Sequence, residues 1–135
     1  MSCTVVYFSQ SGNTEKMAQA IAMGAKTEDI FSIDRANINE VLSHDSIALG
    51  CPAMGAEELE QDEFEPFIES IKDSLKGKKI ALFGSYDWGD GEWMRLWQED
   101  LENSGITLVQ DGLICNNEPS LEDLDECIAL GKALS

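Results

Sequence analysis

Apolar positions along this chain follow two periods. Thr4-Val5-Val6-Tyr7-Phe8 is a short, nearly continuous run of β-branched and aromatic residues, the pattern of a strand covered on both faces, as in a parallel sheet. Ser46-Ile47-Ala48-Leu49-Gly50 and Lys79-Ile80-Ala81-Leu82-Phe83-Gly84 repeat it. Ile30-Phe31-Ser32-Ile33 and Ile106-Thr107-Leu108-Val109 are weaker runs, with Gly112-Leu113-Ile114-Cys115 continuing the last.

Between these runs the period turns helical. Phe64, Phe67, Ile68, Ile71 and Leu75 form one apolar stripe at three- and four-residue spacing. Met17, Ile21 and Gly24 form another, and Trp93, Trp97 and Leu101 a third, which makes both of those tryptophans core residues. Leu121, Leu124, Ile128 and Gly131 form a fourth, opened by the acidic Glu122 and Asp123. Ile38 to Leu42 is a short fifth.

Strand and helix thus alternate through the chain. Right-handed crossovers then place helices on both faces of a five-stranded parallel sheet, a doubly wound α/β domain filling residues 1–135 without repeat or linker. Ligands on such sheets bind beyond the carboxyl ends of the strands, where the strand order reverses. The loops after the first, third and fourth strands therefore matter most.

The first loop is Ser9-Gln10-Ser11-Gly12-Asn13-Thr14. Its hydroxyls and amide can bond a phosphate, Gly12 lets the backbone curl, and a helix start follows to offer free N–H groups to the anion. It contains no lysine or arginine. A phosphate monoester on neutral donors fits it, whereas a triphosphate with Mg²⁺ calls for the lysine of Gly-x-x-x-x-Gly-Lys-Ser/Thr. The other reading of this loop is a hydroxyl-rich helix cap.

After the third strand comes Cys51-Pro52-Ala53-Met54-Gly55-Ala56-Glu57-Glu58-Leu59, with one flexible apolar side chain, a glycine and a carboxylate. The loop after the fourth strand, Ser85-Tyr86-Asp87-Trp88-Gly89-Asp90-Gly91, sets an indole among glycines and aspartates. A tryptophan on a loop tip has no core to enter; a flat aromatic partner is worth about 0.5–1.5 kcal/mol to it beyond area burial. Phosphate cup, apolar side chain and aromatic plate together suit a planar heteroaromatic with a phosphate tail.

Charge changes the picture next. Twenty-six acidic residues against 9 basic ones give a formal −17, a field that repels nucleic acid and anionic membrane and attracts basic partners. The first residues do not read as an export signal. Cys3, Cys51, Cys115 and Cys127 lack Cys-x-x-Cys spacing, so they read as reduced, buried, apolar residues of a cytoplasmic protein, with no metal site. Cys51 has a packing role on this reading, and His44, among polar residues just before a strand, reads as a surface residue.

Ser9 to Thr14 with Glu15-Lys16-Met17, Ala53-Met54-Gly55 through Glu63-Phe64-Glu65-Pro66-Phe67, and Ala81 to Tyr86 with Trp88-Gly89-Asp90-Gly91 closely resemble flavodoxins. The resemblance covers essentially the whole chain and is closest to the short-chain type of anaerobic bacteria. It implies a flavodoxin-like fold and a low-potential one-electron carrier whose non-covalent FMN shuttles between semiquinone and hydroquinone. Flavodoxins are themselves a worked case of the switch-point rule, so the ligand's placement between the first and third strands comes with the family.

By resemblance, Ser9, Gln10, Ser11, Gly12, Asn13 and Thr14 hold the phosphate, and Met54 and Trp88 flank the isoalloxazine. Pro52, Ala53, Gly55, Ala56, Ser85, Tyr86, Asp87, Gly89, Asp90 and Gly91 complete the FMN loops. Glu57 accepts from the flavin N3–H, and the Gly55 carbonyl turns toward N5 in one oxidation state. A hydrogen bond of about 1 kcal/mol made in one state only shifts a one-electron potential by roughly 45 mV. Ala56 and Asp87 depart from the family's usual residues. A turn that forces Ala56 to positive φ costs about 1–2 kcal/mol, and one with positive φ at Gly55 avoids that cost.

The resemblance also implies a monomer that docks on basic surfaces of reductases, hydrogenases or oxidoreductases that also use ferredoxin. An FMN-dependent reductase of a small substrate is the alternative on the same fold, but it needs room over the flavin and a route for hydride. A phospho-acceptor signalling module shares the topology, yet Leu49-Gly50-Cys51 stands where its acceptor aspartate belongs.

Overall fold

A computed structural model describes residues 2–55 and 57–135. Strands β1 (Cys3–Tyr7), β2 (Ile30–Ser32), β3 (Ser46–Gly50), β4 (Lys79–Tyr86) and β5 (Leu113–Asn116) alternate with helices α1 (Asn13–Ala25), α2 (Ile38–Leu42), α3 (Phe64–Ile71), α4 (Glu92–Asn103) and α5 (Leu121–Leu134). The five strands form one sheet, ordered β2-β1-β3-β4-β5, with every strand pair parallel. This is the doubly wound α/β architecture that the alternating periods predict. Its order reverses at β1, between β2 and β3.

Period-two alternation along the strands assigns the two faces. Val5, Ala48 and Ala81 pack with Met17 and Ile21 of α1 and with Cys127 and Leu130 of α5. Val6, Leu49 and Leu82 pack on the other face with Phe64 and Ile68 of α3 and Trp97 of α4. Each fully buried large aliphatic or aromatic side chain contributes about 1.5–3 kcal/mol of transfer free energy. Trp93 and Trp97 are core residues, as their spacing predicts. Phe64 meets Trp97 edge-on at 5.5 Å, and the Trp93 indole N–H donates to the Cys51 carbonyl at 3.1 Å.

Five details differ from the sequence reading, the first being that β4 continues through Ser85 and Tyr86, which that reading gives to the loop after it. The fifth strand is the second of the two candidate runs: Leu113–Asn116 pairs with Phe83–Tyr86, while Ile106–Val109 makes one bridge, Leu108 to Ile80. The chain bends after Val109, so the earlier run cannot stay alongside β4. β2 stops at Ser32, and Ile33 begins a 3₁₀ turn. The α3 stripe ends as helix at Ile71, with a 3₁₀ turn over Lys72–Ser74 leading to the buried Leu75. His44 is a correction: it is 7% exposed, not a surface residue. Its Nε2 lies 3.3 Å from Asp29 Oδ2, and its carbonyl accepts from Lys78 Nζ at 2.8 Å. The residues leading into β2 and β4 close over it at the sheet edge opposite the ligand-binding end.

Helix starts are capped by side chains. Ser120 and Asp123 exchange bonds in a capping box at α5, and Asn37 caps α2. At α3 the cap comes from Glu60, whose carboxylate accepts from the amides of Asp62, Glu63 and Phe64 at 2.8, 2.8 and 2.7 Å. Burial pushes its pKa up, but the three amides outweigh that and hold it below the ordinary 4.5.

α1 and α5 meet at two glycines. A Cβ on Gly24 would stand 2.0 Å from the Ile128 carbonyl oxygen, and one on Gly131 2.0 Å from that of Ile21. Helix propensity favours alanine over glycine by about 1 kcal/mol, but backbone at that distance cannot move aside as a side chain can.

Gly131→Ala should therefore lower stability by about 1–3 kcal/mol in urea unfolding, overpacking outweighing propensity; equal or greater stability would refute the close approach. Glu60→Gln should cost about 1–3 kcal/mol at neutral pH, since it replaces a charged acceptor shared by three amides. A group with a lowered pKa contributes stability above its unfolded value and loses it as pH falls through the folded one. The gap between wild type and variant should accordingly narrow below pH 4.5, read from chemical denaturation across pH.

Candidate functional site

Register brings the three loops together. Tyr7 pairs with Gly50 and Gly50 with Phe83, so β1 and β3 end side by side against β4, which runs on to Tyr86. The pairing continues past them: Phe8 N donates to Gly50 O at 2.9 Å, Cys51 N to Phe83 O at 3.1 Å and Ala53 N to Ser85 O at 3.0 Å.

In the first loop, Ser9 Oγ accepts from the amides of Gly12 and Glu15 at 3.1 and 3.3 Å, and Ser11 Oγ from Asn13 N at 3.4 Å. Gly12 takes φ 93°. The loop is thus closed by its own hydroxyls, as a cap would be, and still faces outward at Gln10, Ser11 and Asn13. Thr14 lies deeper, 1% exposed, and its Oγ1 pairs with Ser85 Oγ at 2.9 Å, tying the first loop to the third.

The second loop is a tight hairpin in which Met54 and Glu58 exchange both backbone bonds at 2.9 Å. Gly55 takes φ 47°, in the left-handed region that glycine adopts without strain, and Ala56 lies outside the described residues. A second positive φ, 55°, falls on Glu57. For a residue with a side chain that costs about 1–2 kcal/mol, and the carboxylate offsets it by reaching the third loop. Glu57 Oε1 accepts from Gly91 N and Glu92 N at 3.2 and 3.1 Å. It thereby serves the first turn of α4, where the helix dipole favours an anion. Gly89 makes room: a Cβ there would stand 2.5 Å from the Glu57 carboxyl carbon. Cys51 has the packing role expected of it, fully buried, its Sγ accepting from Glu60 N at 3.4 Å.

The third loop leaves Asp87, Trp88, Gly89 and Asp90 exposed, Trp88 at 60%. Tyr86 packs on Trp93 with ring centroids 5.6 Å apart, Asp90 pairs with Arg95, and Gly91 is buried at the start of α4.

A cavity of about 220 Å³ lies where the loops converge. Gln10 and Ser11 of the first loop and Asn13 at the start of α1 line it, with Pro52 and Ala53 from the second loop, Ser85 and Tyr86 at the end of β4 and Asp87 just after it. Met54 and Gly55 line a neighbouring hollow of about 280 Å³, so the cavity itself does not include the two ring-flanking candidates, Met54 and Trp88. The lining is neutral apart from Asp87 and holds no lysine or arginine, which suits a phosphate held by amides and hydroxyls.

One contributor escaped the sequence reading. Asn117, after β5, lines the same cavity, takes φ 59° and donates its amide to the Tyr86 carbonyl at 2.7 Å. Asn-Asn followed by Glu-Pro after an apolar run is a turn signal that could have marked it.

Residues 5–131 match the flavodoxin family model. The chain is 48% identical to a flavodoxin of Clostridium beijerinckii over 135 residues, covering 97% of each. It is 46% identical to that of Megasphaera elsdenii over 134 residues, covering 96% of this chain and 95% of the relative. The solution structure of two-electron reduced Megasphaera elsdenii flavodoxin superimposes with a TM-score of 0.86 at 44% identity over 98% of both chains. On this match and these identities the chain belongs to the flavodoxin family, FMN-binding electron-transfer proteins rather than enzymes.

Proposed function

We propose that this flavodoxin carries single electrons at low potential between cytoplasmic redox enzymes, as a monomeric single domain. The observation that carries the reading is the convergence of the three loops on one cavity free of lysine and arginine in a chain of net charge −17. FMN supplies the one-electron chemistry when bound.

Ser9, Gln10, Ser11, Gly12, Asn13 and Thr14 would hold its phosphate. Ser9 and Ser11 already order that loop, and Asn13 and Thr14 start the helix whose dipole faces the anion. Met54 and Trp88 would flank the ring, with Pro52, Ala53, Gly55, Ala56, Ser85, Tyr86, Asp87, Gly89, Asp90 and Gly91 around it. Glu57 fits the acceptor role for N3–H, because its bonds to Gly91 and Glu92 both use Oε1 and Oε2 accepts from no described residue.

The acidic surface raises the cost of adding negative charge at the site, about 1 kcal/mol per charge at 4 Å in water and more where water is excluded. That keeps the reduced carrier a strong donor. The same field favours redox partners with basic surfaces and disfavours nucleic acid and anionic membrane. No helix among the described residues is long and apolar enough to cross a membrane.

Stepwise anaerobic reduction with dithionite, followed by visible absorption after loading with FMN, tests the reading. Two separable one-electron steps are expected, with no bleaching by NADPH alone. A single two-electron step, or turnover of NADPH, would instead indicate a substrate-reducing enzyme. Trp88→Ala should weaken FMN binding about two- to twelvefold by fluorescence titration, the equivalent of one aromatic stacking interaction. Unfolding of the FMN-free protein should hardly change, because Trp88 is 60% exposed; unchanged FMN affinity would remove Trp88 from the site.

A further inference from the structure

α3 and α4 leave a groove of about 540 Å³ between them on the outer face of the sheet, floored by Leu59, Trp93, Leu96 and Trp97. The two tryptophans are core residues, but Leu96 stands 55% exposed. The rest of the lining is Glu57, Glu58, Glu65, Glu69 and Asp100, with no lysine or arginine. Lys72 bonds Glu69 and Asp100, each at 2.7 Å, so one ammonium pairs with two of the five carboxylates. An apolar floor that reaches solvent at Leu96 and partly at Leu59, with a rim of one charge sign, has the anatomy of a protein contact, apolar at its centre and polar at its edge.

We propose that this groove docks an amphipathic helix of a redox partner, one that presents an aliphatic side chain flanked by lysine or arginine. The inference rests on the electron-carrier reading above and adds where the partner binds. Charge selects this occupant. A second copy of the chain would bring like rims together at −17 each, and an anionic membrane or nucleic acid meets the same repulsion. A basic helix satisfies both parts of the groove, its aliphatic side chain covering Leu96 and its cations meeting Glu58 and Glu65.

Position supports the role. Glu57 lines the groove and, through Oε1, holds the amides at the start of α4, so the groove ends at the hairpin that carries Met54. Trp88 is not part of the lining. A helix seated there contacts the second loop and leaves the tip of the third exposed for electron exchange.

The test is an amide-shift titration of ¹⁵N-labelled, FMN-loaded protein with a synthetic Leu/Lys amphipathic helix as probe. Shifts are expected in Glu57 to Leu59, α3 and α4. Leu96→Ser, at an exposed position the fold tolerates, should raise the probe's Kd about five- to tenfold, the loss of one largely covered aliphatic side chain. Glu65→Gln should raise it at low salt and not at high salt. Shifts centred on residues 86–90 or scattered over the acidic surface, or an unchanged Kd for Leu96→Ser, would overturn the groove as docking site while FMN stays bound. Failure of the wild-type protein to take up FMN would overturn the carrier reading instead, and absorbance distinguishes the two.

Discussion

The side-by-side pairing of Tyr7, Gly50 and Phe83 is the constraint on which the rest of this protein depends. In a parallel sheet the strand ends share one edge, and register decides whether the loops leaving them start level or staggered. Here β1 and β3 end level while β4 runs on from Phe83 to Tyr86, and order reversal at β1 sends the following helices to opposite faces. Slipping β3 by one residue would turn Leu49 and Ile47 toward the α1–α5 side, where Ala48 and the glycines at the helix contact leave no room for them. Both cores therefore lock the geometry of the site.

That geometry carries on into the loops through hydrogen bonds that cross between them. Thr14 to Ser85, Glu57 to Gly91 and Glu92, and Asn117 to Tyr86 join four segments that are far apart in sequence. Donors held in place before a ligand arrives lose little freedom when it binds. Polar atoms inside the loops are satisfied by neighbouring loops, which frees the outward groups of Gln10, Ser11 and Asn13 for the cavity.

Local chemistry determines how much of this could be read beforehand. β-branched runs and three- to four-residue stripes are properties of neighbouring residues, so β1, β3, β4 and the helices are legible, as is the meeting of the three loops at one sheet edge. Choices between competing segments were not: Ile106–Val109 and Leu113–Asn116 look alike until the bend after Val109 removes the first from β4. His44 gives no local sign of burial, because Asp29 and Lys78 reach it from the segments leading into β2 and β4. The Glu57 link to α4 was hidden for the same reason, since it joins residues 34 and 35 positions apart. Glu60 looks like one more surface acid until the chain folds back and presents three amides to it.

The four thiols have a practical consequence. All are buried, and burial holds Cys3 at about 11 and Cys51, Cys115 and Cys127 at about 12. Iodoacetamide consumes thiolate, so at neutral pH the closed domain offers it almost nothing. Each cysteine sits in a different element or loop: β1, the turn after β3, β5 and α5. Alkylation would thus proceed only as fast as each region opens, and the four labelling rates together would time the breathing of the sheet from edge to centre.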